Sequence, residues 1–90
     1  MPLIQIEQDS PKVLLRSREQ ISSMAAEIRQ TPGEGSRHDG LVMLVVGYLA
    51  ALLLNELVSP KVYAMLQSEL NQAREAAEAT VGAGRDHGPE

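Results

Sequence analysis

From Leu41 to Leu54 the chain runs for fourteen residues, Leu-Val-Met-Leu-Val-Val-Gly-Tyr-Leu-Ala-Ala-Leu-Leu-Leu, without a charged, amide or hydroxyl-only side chain. Everything before and after it is more polar, and there the apolar residues recur at spacings of three and four. A helix that is apolar all round has to be surrounded, by protein or by lipid. The pattern therefore predicts a central helix over about residues 40–58, flanked by two amphipathic helices.

On the N-terminal side, Leu14, Ile21, Met24, Ala25 and Ile28 fall on one stripe of a helix spanning about 11–30. Asp9-Ser10-Pro11 supplies its start, because Ser or Asp can cap free amides and Pro is preset for the first helical position. A second start competes with it. Ser17 with Gln20 forms a capping box, which would leave Lys12–Arg16 as a strand pairing with residues 3–7. The longer helix is preferred, since a two-stranded hairpin is marginal without a third strand. Leu3-Ile-Gln-Ile-Glu7 itself alternates apolar and polar, the pattern of a short half-buried strand.

Thr31 to Gly40 reads as a loop in which Pro32, Gly33 and Gly35 stop one helix and Asp39 or Ser36 caps the next. Gly33-Glu-Gly-Ser36 is not a phosphate cradle. The Walker pattern needs a Lys followed by Ser or Thr after its second Gly, and this loop has Ser36-Arg37 with Glu34 in its middle.

Beyond the central helix, Ser59-Pro60 repeats the cap-and-proline start. Val62, Leu66, Leu70, Ala73 and Ala77 then form the stripe of a helix over about 60–81, with Lys61, Gln67, Ser68, Asn71, Arg74, Glu75 and Glu78 opposite. Gly82 is expected to end it and to leave 82–90 as a disordered tail.

The central helix carries a finer pattern. Gly47, Ala51 and Asn55 are spaced by four, with Ala50 beside them, and Val42, Val46, Leu49, Leu53 and Leu57 line another face. Small residues at that spacing let a second backbone come close. The expected helix–helix contacts are thus Gly47, Ala50, Ala51, Asn55, Leu49, Leu53 and Leu57, together with Val62, Leu66 and Leu70 from the following helix.

Composition narrows the rest. Ninety residues make one small domain with a modest core, built from aliphatic side chains because Phe and Trp are absent and Tyr48 and Tyr63 are the only aromatics. Without Cys there are no disulfides, thiolate sites or cysteine nucleophiles. The net charge is −4, and acidic groups outnumber basic ones both in residues 1–40 (six to five) and in residues 41–90 (six to three). Neither half offers the Lys/Arg stripe that phosphate neutralisation requires, so nucleic-acid binding is disfavoured.

Candidate chemistry is sparse. His38 lies in the central loop beside Asp39 and His87 in the tail beside Asp86, and adjacent His and Asp residues are not a triad geometry. Both are expected to be solvated. Glu56, an acid at the end of an apolar helix, is expected to mark where that helix reaches water. No catalytic residue, cofactor or metal site is assigned.

The clean apolar run is shorter than the roughly 20 residues of a spanning helix, and its flanking charges give no orientation bias. No signal sequence is expected at the start, and the cytoplasm is the expected location. Two amphipathic helices have too little apolar surface to enclose the central one, and a C2 dimer is the commonest way to cover the remainder. The expectation is a mainly α bundle of about three helices, with a short N-terminal strand, completed by dimerisation. It would act as a non-catalytic protein–protein interaction module of regulatory, inhibitor or adaptor type, with itself and an unidentified protein as partners. A membrane-associated protein inserting residues 41–58 is the alternative, and a dimeric DNA-binding regulator is a weaker one.

Overall fold

The computed structural model describes residues 8–85, with side chains described for residues 8–80. It consists of three helices, α1 (Pro11–Gln30), α2 (Gly35–Leu54) and α3 (Pro60–Arg85), with no strand among the described residues. Each helix packs against the other two, and α1 against α3 is the most extensive seam. The strand considered for residues 3–7 lies outside the described residues.

α1 is one continuous helix. Ser10 is extended (φ −66°, ψ 148°) and its Oγ accepts the Val13 N–H at 3.2 Å, with Pro11 in the first turn. This cap overturns the shorter option in which Lys12–Arg16 would be a strand. Ser17 caps nothing. It is fully buried, and its hydroxyl donates back to the Val13 carbonyl at 2.8 Å, which satisfies it inside the core.

The connection to α2 is shorter than the pattern suggests. α2 begins at Gly35, and its N-cap residue, Glu34, makes no side-chain capping bond. Ser36 and Asp39 therefore sit inside the helix rather than at its cap. The turn is held instead from behind. Gly33 takes φ 84°, a left-handed conformation that costs glycine little, and the His38 side chain folds under the loop onto Thr31.

α2 closes at Leu54 rather than near residue 58, through a Schellman arrangement. The Glu56 N–H donates to the Leu53 carbonyl at 3.0 Å and the Leu57 N–H to the Leu52 carbonyl at 2.9 Å, with Glu56 at φ 60°. Glu56 is exposed, so the acid does mark the point where the helix meets water. Leu57 and Val58 turn back, and Val58 is buried. Two bonds from Asp9 fasten this corner to the start of α1: its N–H donates to the Leu57 carbonyl at 2.9 Å, and its Oδ1 accepts the Ser59 N–H at 2.8 Å. Ser59 caps α3 by accepting the Val62 N–H at 3.2 Å.

α3 continues through Gly82 to Arg85. Once a helix is nucleated each further residue adds one backbone bond, and a glycine's propensity cost of about 1 kcal/mol does not by itself terminate it. Residues 86–90 of the expected tail lie outside the described residues.

The core is aliphatic. Ile21, Met24, Ala25 and Ile28 of α1 meet Val42, Val45 and Leu49 of α2 and Leu66, Leu70 and Ala77 of α3, with Val58 closing one end. Burial of each Val, Leu, Ile or Met side chain among them contributes on the order of 1.5–3 kcal/mol.

Candidate interaction surface

Only one side of α2 is covered. His38, Val42, Val45 and Leu49 face inward at successive turns. On the opposite side Met43 is 66% exposed, Leu44 71% and Leu54 82%, and Gly40, Gly47 and Ala51 between them are exposed as well. At 100° per residue these six positions form one stripe, and from Gly40 to Leu54 it holds no charged or hydroxyl side chain. The apolar sequence of α2 thus divides into a core face and an uncovered face.

The predicted contact residues separate along this division. Leu49, Leu66 and Leu70 are fully buried and hold the three helices together within the chain. Leu53, Leu57 and Val62 are half-buried at the rim of that core. Gly47, Ala51 and Asn55 face solvent, with Ala50 half-buried beside them. A tight crossing inside the bundle is therefore not what the small residues serve: a Cβ placed on Gly47 would meet nothing within 4 Å. Asn55 turns back on its own helix, donating from Nδ2 to the Ala51 carbonyl at 2.7 Å.

Polar residues border the uncovered face. On the α3 side the Arg74 guanidinium donates to Asp39 at 3.0 Å and to Glu78 at 3.4 Å. On the α1 side Arg37 donates to Glu27 at 2.8 Å. An apolar centre with a charged rim is the anatomy of an association surface.

No protein-family model matches the chain, and no curated protein or solved structure aligns with it significantly. The surface has to be read from its own chemistry.

His38 is the clearest correction to the sequence reading. It is 5% exposed rather than solvated, with Nε2 at 2.6 Å from the Thr31 carbonyl and 3.0 Å from Thr31 Oγ1. The short contact to a carbonyl makes Nε2 the protonated nitrogen, and the Thr31 hydroxyl accepts because its own proton goes to the Glu27 carbonyl at 2.9 Å. This histidine is a structural clamp on the α1–α2 turn. Among the described residues no three His, Asp or Glu side chains converge as a metal site.

Sequence reasoning missed Met43, Leu44 and Leu54 as surface residues. Their neighbours on the core face are equally apolar, so periodicity had no polar position with which to orient the helix. Asp39 was the available signal. It marks the side of α2 that turns toward Arg74 of α3, and so places Met43 at the edge of that seam.

Proposed function

We propose that the chain is a non-catalytic protein–protein interaction module, a small regulatory, inhibitor or adaptor protein that works as a homodimer through the uncovered face of α2. The observation that carries this reading is the exposed apolar stripe of Met43, Leu44, Gly47, Ala51 and Leu54. Exposed apolar patches of this kind on small folded proteins mark interaction sites.

Size matching along the stripe supports a second copy as the occupant. With two α2 helices antiparallel about Gly47, Met43 of one lies opposite Ala51 of the other, and Leu54 lies opposite Gly40. Large meets small at each layer and glycine meets glycine at the axis. Isologous contacts of this form are the commonest in soluble oligomers.

Because the chain contains no Cys, single-cysteine variants test the arrangement directly. Gly47→Cys is expected to form a disulfide-linked dimer under mild oxidation, since paired Cα atoms must come within about 7 Å. Lys61→Cys, away from the stripe, is the control. Equal cross-linking of both variants, or none at Gly47, would remove the proposal.

One observation favours a second reading. In the most apolar window of α2 only 22% of residues are buried, so a bilayer surface could cover what a partner otherwise would. Dependence of solubility on detergent separates this reading from the first.

A further inference from the structure

The first two turns of α1 are electrostatically unfavourable as they stand. Lys12 and Arg16 are four residues apart, so their cations share one edge of the helix and repel. Lys12 stands in the first turn, at the positive end of the helix dipole, and that turn contains no acidic residue to offset it. Arg18, Arg37 and Arg74 are each held by a carboxylate at 2.8–3.0 Å, whereas no carboxylate among the described residues lies within 4.0 Å of Lys12 or Arg16. Asp9 is close in sequence, but its Oδ1 is engaged by the Ser59 N–H.

A groove of about 370 Å³ lies between this edge of α1 and the C-terminal half of α2. The exposed Lys12 and Arg16 border it, and the half-buried Val13, Tyr48, Leu52 and Leu57 line it. Its volume falls at the small end of ligand sites, about 300–1,000 Å³, and its lining has their usual form, mostly apolar with a few polar groups.

We infer that this groove binds a single-chain anionic amphiphile, of which a medium-chain carboxylate is the simplest member. The carboxylate sits on Lys12 and Arg16, and the hydrocarbon lies against Val13, Leu52 and Leu57. A neutral chain would leave the two cations uncompensated, and a small inorganic anion would leave the apolar lining wet. An acidic helix of another protein fits less well. The α1 wall runs only from Ser10 to Arg16, about 9 Å at 1.5 Å per residue, too short for anchors at i, i+4 and i+7. The site is separate from the Leu44/Leu54 stripe and does not depend on dimerisation.

Calorimetric titration of the full chain with sodium dodecanoate, kept below its micelle concentration, tests the inference. Saturable binding of one dodecanoate per chain is expected, with neither dodecan-1-ol nor acetate binding at the same concentrations. The K12Q/R16Q variant should bind about tenfold more weakly or worse, the loss expected when a charge-assisted contact is removed. Its unliganded melting temperature should equal or exceed that of the wild type, because a repulsion has been removed. A Leu44→Ser/Leu54→Ser variant should bind dodecanoate unchanged, which separates the groove from the stripe. The inference is overturned by absence of saturable binding, by undiminished binding in K12Q/R16Q, or by loss of binding in the stripe variant. It is equally overturned if anionic phospholipid vesicles, and not dodecanoate, are bound.

Discussion

Arg18 and Glu69, fifty-one positions apart in sequence, join α1 to α3 through two parallel N–H···O bonds of 2.9 Å. The guanidinium fork is matched to the carboxylate, and its hydrogen bonds chiefly hold the Glu69 carboxyl below the usual carboxylate range. Its charge adds to this effect, and partial burial of Glu69 opposes it.

A pH dependence follows from the depressed carboxyl. A group whose folded pKa lies below its unfolded value contributes stability above the unfolded pKa and loses it as pH falls through the folded one. The wild type should therefore melt above Glu69→Gln by a constant margin over the range above about pH 5, the margin closing in acid. Thermal melts of both proteins from neutral to acid pH check this. A gap that does not change with pH would contradict it. The pair is exposed to solvent, so added salt should narrow the gap as well.

His38→Leu fills a similar space but removes the shorter of the two bonds to the Thr31 carbonyl, leaving it only the Glu34 N–H at 3.3 Å. Loss of one hydrogen bond to an acceptor that keeps a second donor costs about 0.5–1.5 kcal/mol. The urea midpoint should fall by the corresponding amount at unchanged slope. An unchanged midpoint would mean that the Nε2 contact contributes nothing to the α1–α2 turn.

Glu56 holds φ 60°, a conformation that glycine adopts without strain. Glu56→Gly is expected to stabilise the chain by about 0.5–1 kcal/mol, after glycine's greater freedom when unfolded is set against relief of the left-handed backbone. Chemical denaturation measures this. A loss of stability would point to a role for the Glu56 side chain beyond solvation.

Ala51→Leu separates fold from assembly. Ala51 is exposed in the single chain, so the added side chain meets no neighbour there and helicity should be retained. In the proposed antiparallel pair it would stand against Met43, where overpacking costs about 1–3 kcal/mol. The dimer should weaken accordingly in a dilution series followed by light scattering. Unaltered assembly would take Ala51 out of the seam.

What the sequence makes legible in this fold is what local chemistry controls. Ser10-Pro11 and Ser59-Pro60 announce the starts of α1 and α3 because a cap bond spans three residues, and both caps are formed. The start of α2 has no such signal. It is set by His38 reaching seven residues back to Thr31, a contact that requires the turn to exist already. Most of all, the apolar run of α2 could not declare its faces. Val42 and Leu49 look no different in sequence from Met43 and Leu44, and only packing against Leu66 and Leu70 decides which pair is covered. The groove beside Lys12 and Arg16 was illegible for a related reason, since its far wall comes from Tyr48 and Leu52, more than thirty residues away.

Sedimentation equilibrium of the untagged chain in detergent-free buffer tests the central claim most directly. The uncovered face of α2 predicts a closed dimer that becomes monomeric when Leu44 and Leu54 are replaced by Ser with helicity retained. A wild-type chain that stays monomeric across the accessible concentration range, or that dissolves only in detergent, would contradict it.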